Sequence, residues 1–123
     1  MDVHALEQMP SFVTDDGSSI RELAGPQPGS GASVHQSFAE ATLAPGGQTA
    51  EHYHPRAEEI YWFVRGEARL RLGSEEATVR AGDCVVIAPG TPHKLVNTGP
   101  QPVVLMCCCA PPYAPGDTVL TGR

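Results

Sequence analysis

Basic side chains are scarce in this chain. Lys and Arg number 8 against 14 Asp and Glu, for a formal charge of -6, and that balance opposes a phosphate-binding surface. Neither nucleic acid nor an anionic membrane is an expected partner. Long hydrophobic runs are missing too: the longest, Val103 to Ala110, falls far short of the roughly 18 residues a membrane span requires. The N-terminus carries Asp2 and Glu7 where a signal peptide would place a basic stretch and an apolar core, so a cytoplasmic protein is expected. Spaced cysteine pairs are lacking. Three of the four cysteines, Cys107, Cys108 and Cys109, are consecutive, which fits neither a disulfide framework nor a CxxC metal clip and predicts reduced thiols, mostly buried.

What is present is enough for one domain: 123 residues and 13.0 kDa, with no room for a second full one. Gly (13) and Pro (12) make up roughly a fifth of the residues, against an average near 12%, while 41% of the chain remains hydrophobic. A turn-rich, mostly β globule follows. Residues 1–31 are polar and broken by Pro10, Gly17, Gly25, Pro26, Pro28 and Gly29, which predicts an N-terminal arm, partly extended, with one ordered piece at 18–23. Residues 32–123 are expected to form the one folded unit, with a short C-terminal tail. Short alternating segments separated by turn residues predict strands over 34–43, 51–54, 59–64, 68–72, 77–80, 85–87, 93–96 and 103–109, a pattern that indicates a sandwich or barrel. Pro111, Pro112 and Pro115 are expected to end regular structure.

His52 and His54 are two apart in a predicted strand, so both side chains leave one face about 6.6 Å apart along it. Two imidazoles can thus address one ion. Glu58 or Glu59 follows closely enough to return a carboxylate, and Glu59 fits better because it shares a strand face with Tyr61 and Phe63. His93 arrives from a separate segment after the turn Pro89, Gly90, Thr91, Pro92. Three imidazoles and a carboxylate suit Fe, Mn, Ni, Cu or Zn and are too nitrogen-rich for Ca or Mg.

These residues carry a resemblance to a family. Gly46, five residues, His52-Tyr53-His54, four residues, Glu59, six residues and Gly66 resemble the first cupin motif position for position. Gly82, Pro89, Gly90, His93 and Asn97 resemble the second, except that Ala88 stands where that motif usually has its first proline. The motifs are separated by the 15 residues 67–81, the short spacing of compact microbial cupins. The resemblance implies an all-β, antiparallel double-stranded β-helix, or jelly-roll, barrel with one divalent transition metal (Fe, Mn, Zn or Ni) inside near one open end, held by His52, His54, Glu59 and His93. It also implies a homodimer.

Around that centre, Tyr61 would put its phenol beside Glu59 and could donate a proton or hydrogen bond, although aromatics on an inward face also fill space. Tyr61 and Glu59 are therefore the catalytic candidates, Glu59 as permanent ligand or as a base that swings free. Gln48, Phe63 and Cys107 are candidates for the substrate pocket. Alternation puts Leu105, Cys107 and Cys109 on one strand face, and the resemblance favours Cys107 pointing inward. Arg69 and Arg71 share a face and would bind an anion if they pointed inward. Ile60 and Trp62 lie on the opposite face to Tyr61 and fit the covering of a sheet or a dimer interface. His4 and His35 fall outside both motifs and are expected to be structural or solvent-exposed. Asn97 is expected to fasten a strand or loop. The implied function is metal-dependent chemistry on a small organic substrate: O2-dependent dioxygenase-type chemistry, or non-redox Zn or Ni isomerase, lyase, cyclase or other tailoring chemistry. A non-catalytic cupin that holds a small molecule is the alternative from another class.

Overall fold

Period-two alternation decides which side chains turn inward, and it is clearest in the strand Glu58–Arg65, where buried Glu59, Tyr61 and Phe63 alternate with exposed neighbours. A computed structural model describes residues 1–123. In chain order the strands are β1 (Phe12–Val13), β2 (Ser19–Gly25), β3 (Gly31–Ala32), β4 (Ser37–Leu43), β5 (His52–Tyr53) and β6 (Glu58–Arg65). They continue with β7 (Glu67–Leu72), β8 (Glu75–Arg80), β9 (Cys84–Ile87), β10 (His93–Val96), β11 (Val103–Ala110) and β12 (Val119–Leu120). A seven-stranded sheet runs β1-β2-β4-β11-β6-β9 with β3 on β2, and a five-stranded sheet runs β12-β5-β10-β7-β8. All pairings are antiparallel except β2 with β3. This is the expected jelly-roll barrel of two facing sheets, and no helix is long and apolar enough to cross a membrane.

Register stacks the inward residues of the larger sheet in levels. Ser37, Cys109, Glu59 and Ile87 lie side by side across β4, β11, β6 and β9, and the next level is Glu22, Ala39, Cys107, Tyr61 and Val85. Below these come Ile20, Ala41, Leu105 and Phe63. Polar and ligating groups thus occupy one end of the barrel. The other end is closed by an apolar core in which Phe63, Ala68, Leu70, Val79, Leu95 and Val103 are almost fully buried. Phe63 is therefore a core residue packed edge-on to Tyr61, with ring centroids 6.1 Å apart, and it does not line the cavity above it, where a pocket residue was expected.

The motif glycines Gly46, Gly66, Gly82 and Gly90 all take positive φ. Gly66 is constrained twice. Its φ is +87°, and a Cβ there would stand 2.6 Å from the carbonyl oxygen of Pro102, so the β6–β7 turn tolerates no side chain.

Three expectations need correcting. The N-terminal segment is less an arm than part of the barrel: β2 pairs with β4 from Ser19↔Thr42 to Ala24↔Phe38, because Ile20 and Glu22 supply an inward face that short-range turn signals hide. Regular structure also does not end at Pro111, since a 3-10 turn at Pro115–Asp117 leads into β12, which pairs Leu120 with His52. Of the cysteines, all free, Cys109 alone is fully buried, and Cys84 is exposed. Arg69 and Arg71 point outward, bonding Thr78 and Glu76 in one case and Glu51 in the other. His4 and His35 are exposed.

Candidate metal centre

His52 and His54 reach the interior from β5 and the residue after it, Glu59 from the second position of β6, and His93 from the first position of β10, directly opposite His52 in register. One donor atom from each lies within 4.8 Å of every other. Donors sharing one ion at bond lengths of about 2.0–2.2 Å stand at most about 4.4 Å apart, so a small contraction completes the site. Glu59 Oε1 is 3.4 Å from His54 Nε2 and 3.3 Å from His93 Nε2. All four residues are at most 6% exposed.

The tautomers are fixed by what the other ring nitrogens meet. His52 Nδ1 donates to the carbonyl of Ala50 (2.8 Å), His54 Nδ1 to that of Asp117 (2.9 Å) and His93 Nδ1 to that of Thr91 (2.9 Å). A carbonyl can only accept, so each Nδ1 carries its proton and each Nε2 presents a lone pair. Buried polar atoms normally find partners, yet Glu59 Oε1 and His93 Nε2 have none. Converging lone pairs, orphaned and shielded from water, are what a cation fits. Nitrogen-rich donors of this kind suit Fe, Mn, Ni, Cu or Zn.

Outer contacts hold the ligands. The Cys109 thiol donates to Glu59 Oε2 at 3.2 Å, leaving Oε1 to the imidazoles. Asp117 accepts from the backbone N–H groups of Arg56 and Ala57, both at 3.0 Å, so the tail clamps the loop that carries His54. Asn97 fastens its loop as expected, its Nδ2 donating to the carbonyls of Leu43 and Gln101. Burial opposes the Glu59 charge, but His54 and His93 overcome it and hold the carboxyl at about 2. For His54, burial favours the neutral ring, yet Glu59 and the Asp117 carbonyl outweigh it and raise the pKa. His52 is lowered by burial and by the nearby His93.

The centre forms one wall of a cavity whose empty volume, its open mouth included, is ≈ 750 Å³. Tyr61 and Cys107 line it. Burial, and then the Glu59 charge, push both the Tyr61 phenol and the Cys107 thiol well above their usual values, so each keeps its proton near neutrality. Gln48 does not line the cavity: it is exposed and bridges to Val96, while its neighbour Thr49 faces inward and accepts from the Leu95 N–H at 3.0 Å. Sequence reading missed Asp16 altogether. It sits between β1 and β2 with Oδ2 3.3 Å from His52 Nε2, and only a turn-like Asp-Asp-Gly-Ser string marks it in the sequence.

Residues 39–109 match the family described as Cupin domain. Across 112 residues the chain is 41% identical to an uncharacterized protein of Methanocaldococcus jannaschii, covering 91% of this chain and 88% of that one. It is 36% identical to oxalate oxidase 1 of Hordeum vulgare over 95 residues, 70% of this chain and 47% of that one. The tetracenomycin polyketide synthase protein TcmJ of Streptomyces glaucescens is 30% identical over 60 residues, 49% of this chain and 40% of that one. The chain therefore spans less than half the length of these last two. Among solved structures, a double-stranded β-helix protein of Klebsiella pneumoniae superposes with a TM-score of 0.77 at 19% identity, covering 100% and 99% of the two chains. Pac13, a nucleoside dehydratase, superposes with a TM-score of 0.77 at 17% identity, covering 99% and 92%. With more than half its length matched and both motifs folded around one set of converging donors, the chain belongs to the cupin family.

Proposed function

We propose that this cupin is a mononuclear metal-dependent enzyme acting on a small organic substrate, with O2-dependent, dioxygenase-type chemistry as the leading version. The observation that carries the reading is the orphaned pair Glu59 Oε1 and His93 Nε2, set beside two further imidazoles in the wall of a cavity. When bound there, Fe(II) or Mn(II) would supply redox chemistry with O2, and Zn(II) or Ni(II) would supply Lewis acidity. Four protein ligands leave room on a six-coordinate ion for substrate oxygen atoms.

The chain's own residues divide the remaining work. Glu59 is held at Oε2 by Cys109 and has a depressed pKa, which suits a permanent ligand better than a mobile base. Tyr61, protonated and facing the cavity, donates a hydrogen bond to a bound substrate. An oxidase among the relatives supports the redox version. The polyketide synthase protein and the dehydratase Pac13 support the non-redox alternative of isomerase, lyase or cyclase chemistry. Turnover of a panel of small hydroxylated compounds, with and without O2, tests the choice: loss of turnover without O2 is expected, and unchanged turnover selects the Lewis-acid version. Ligand binding with no turnover under either condition, unaltered in His52→Ala, would make the protein a binding module instead.

A second copy of the chain is the proposed partner. Register places Phe38, Cys108, Ile60 and Val86 in one row on the outer face of the larger sheet, with Met106 and Trp62 in the next. Phe38, Ile60, Trp62 and Val86 are 36–56% exposed, and such a self-complementary apolar face fits a two-fold interface. The free thiols suit the reducing cytoplasm, the location we infer.

A further inference from the structure

The cavity beside the proposed metal contains carboxyl groups but no cationic Lys or Arg. Asp16, Glu22 and Glu59 all line it, and the rest of the lining is apolar, hydroxyl, thiol or imidazole. None of the seven arginines lines it, and four are paired elsewhere: Arg21 with Glu40, Arg69 with Glu76, Arg71 with Glu51 and Arg80 with Glu67.

Asp16 is aimed at the centre by its own turn. Its Oδ1 accepts from the Ser18 N–H at 2.8 Å, from the Ser18 hydroxyl at 2.7 Å and from the Thr14 hydroxyl at 2.7 Å. The carbonyl of the same residue accepts from the Ala50 N–H at 2.7 Å, which ties the turn to the segment entering β5. Oδ2 is left facing His52 Nε2 at 3.3 Å, with 14% of the side chain exposed. Glu59 Oε1, in a residue 6% exposed, faces the same space without a partner. Glu22, one level deeper and 5% exposed, accepts from the Gln27 N–H at 3.0 Å.

Charge then selects the ligand. A divalent ion with the Glu59 carboxylate has one formal positive charge left, and Asp16 cancels it. An organic acid entering this space would be desolvated with no Lys or Arg to pair with, beside an ion whose charge Glu59 and Asp16 already offset. A hydroxyl or amine meets an acceptor instead. We propose that the cavity takes an uncharged or cationic small organic molecule bearing a hydroxyl or amine whose hydrogen Asp16 Oδ2 accepts, and that it discriminates against organic acids. This rests on the metal-enzyme reading above and narrows its substrate class away from dianions such as oxalate. Asp16 is the specificity residue, and Glu22 adds to the same bias.

A charge series on one chelating head tests it. Protein loaded with Co(II), its metal content measured first, is titrated with β-alanine hydroxamate (cationic), butyrohydroxamate (neutral) and succinic monohydroxamate (anionic), and binding is read from the visible bands of the cobalt. The cationic and neutral probes are expected to bind at least about tenfold more tightly than the anionic one. Asp16→Asn is expected to narrow that gap severalfold at unchanged cobalt content, mainly by strengthening the anionic probe. Glu22→Gln provides a second variant should the first fail to fold. Equal affinities, preference for the acid, no binding of any probe to cobalt-loaded protein, or a gap unmoved in both variants would overturn the inference while the metal centre stands. Protein that takes up no cobalt would bring down the metal reading and the inference with it.

Discussion

Cys109 donates its thiol hydrogen to Glu59 Oε2 at 3.2 Å, and this contact gives the two oxygens of one buried carboxylate different roles. Oε1 faces two imidazoles at 3.3–3.4 Å. Outer contacts of this kind set ligand orientation, and their loss typically weakens metal binding about 10–100-fold. Cys109→Ala is therefore expected to reduce Zn(II) or Co(II) affinity by about tenfold, measured by competition with a chromophoric chelator. Cys109→Ser, which keeps a donor, should recover part of the loss. Unchanged affinity in Cys109→Ala would reduce the thiol to packing.

The same measurement repeated across pH reports on His54. Metal binding requires the neutral imidazole, and Glu59 raises the His54 pKa above its ordinary value near 6.5. Protons therefore compete with the metal at a higher pH than they would at an isolated imidazole, and affinity falls as pH falls through that range, by about tenfold per pH unit for each competing proton. Glu59 contributes nothing to this decline until pH approaches about 2, where its carboxyl titrates. Affinity independent of pH between 5 and 8 would contradict the assignment of His54 as a ligand.

Phe63 and Gln48 differ in what their removal should do, although neither lines the cavity. Phe63 is 1% exposed within the core, so Phe63→Ala should lose about 3–5 kcal/mol of stability in denaturant unfolding. Gln48→Ala, at an exposed loop position, should change stability by less than about 0.5 kcal/mol and leave probe binding as it was. A specific loss of probe binding in Gln48→Ala with stability intact would restore it to the pocket.

Trp62, 49% exposed on the outer sheet face, tests the proposed dimer. Trp62→Lys should shift the protein from dimer to monomer in light scattering after gel filtration, with the fold retained. A wild-type monomer at all concentrations would remove the proposed interface.

Much of this was legible in the sequence because alternation and motif spacing act over short distances. The strand that holds Glu59 and Tyr61 spans Glu58–Arg65, against an expected 59–64, and β10 begins at His93 as expected. A period of two put Cys107 and Cys109 on one strand face, and the motif resemblance favoured turning Cys107 inward. Asp16 and Asp117 could not be read that way. Asp16 reaches His52 across 36 positions in sequence and Asp117 reaches His54 across 63, by chain paths whose local sequence signals only turns. The same non-local pairing explains why β2 looked like an arm: its partner, β4, supplies the hydrogen bonds that make it a strand. Phe63 takes the inward face but lies in the core below the cavity, because alternation tells which face a residue takes and not how deep along the barrel it sits. Gln48 lies outside every predicted strand, so no alternation showed that it faces outward and Thr49 inward.

Metal content tests the central claim most directly. The protein is expressed with several metals available, purified without chelator or metal-affinity resin, and analysed for elements beside His52→Ala and His93→Ala, with folding checked by circular dichroism. About one equivalent of a transition metal per chain in the wild type, lost in both folded variants, is the predicted result. A wild-type protein that carries no metal and takes none up on reconstitution would contradict the account.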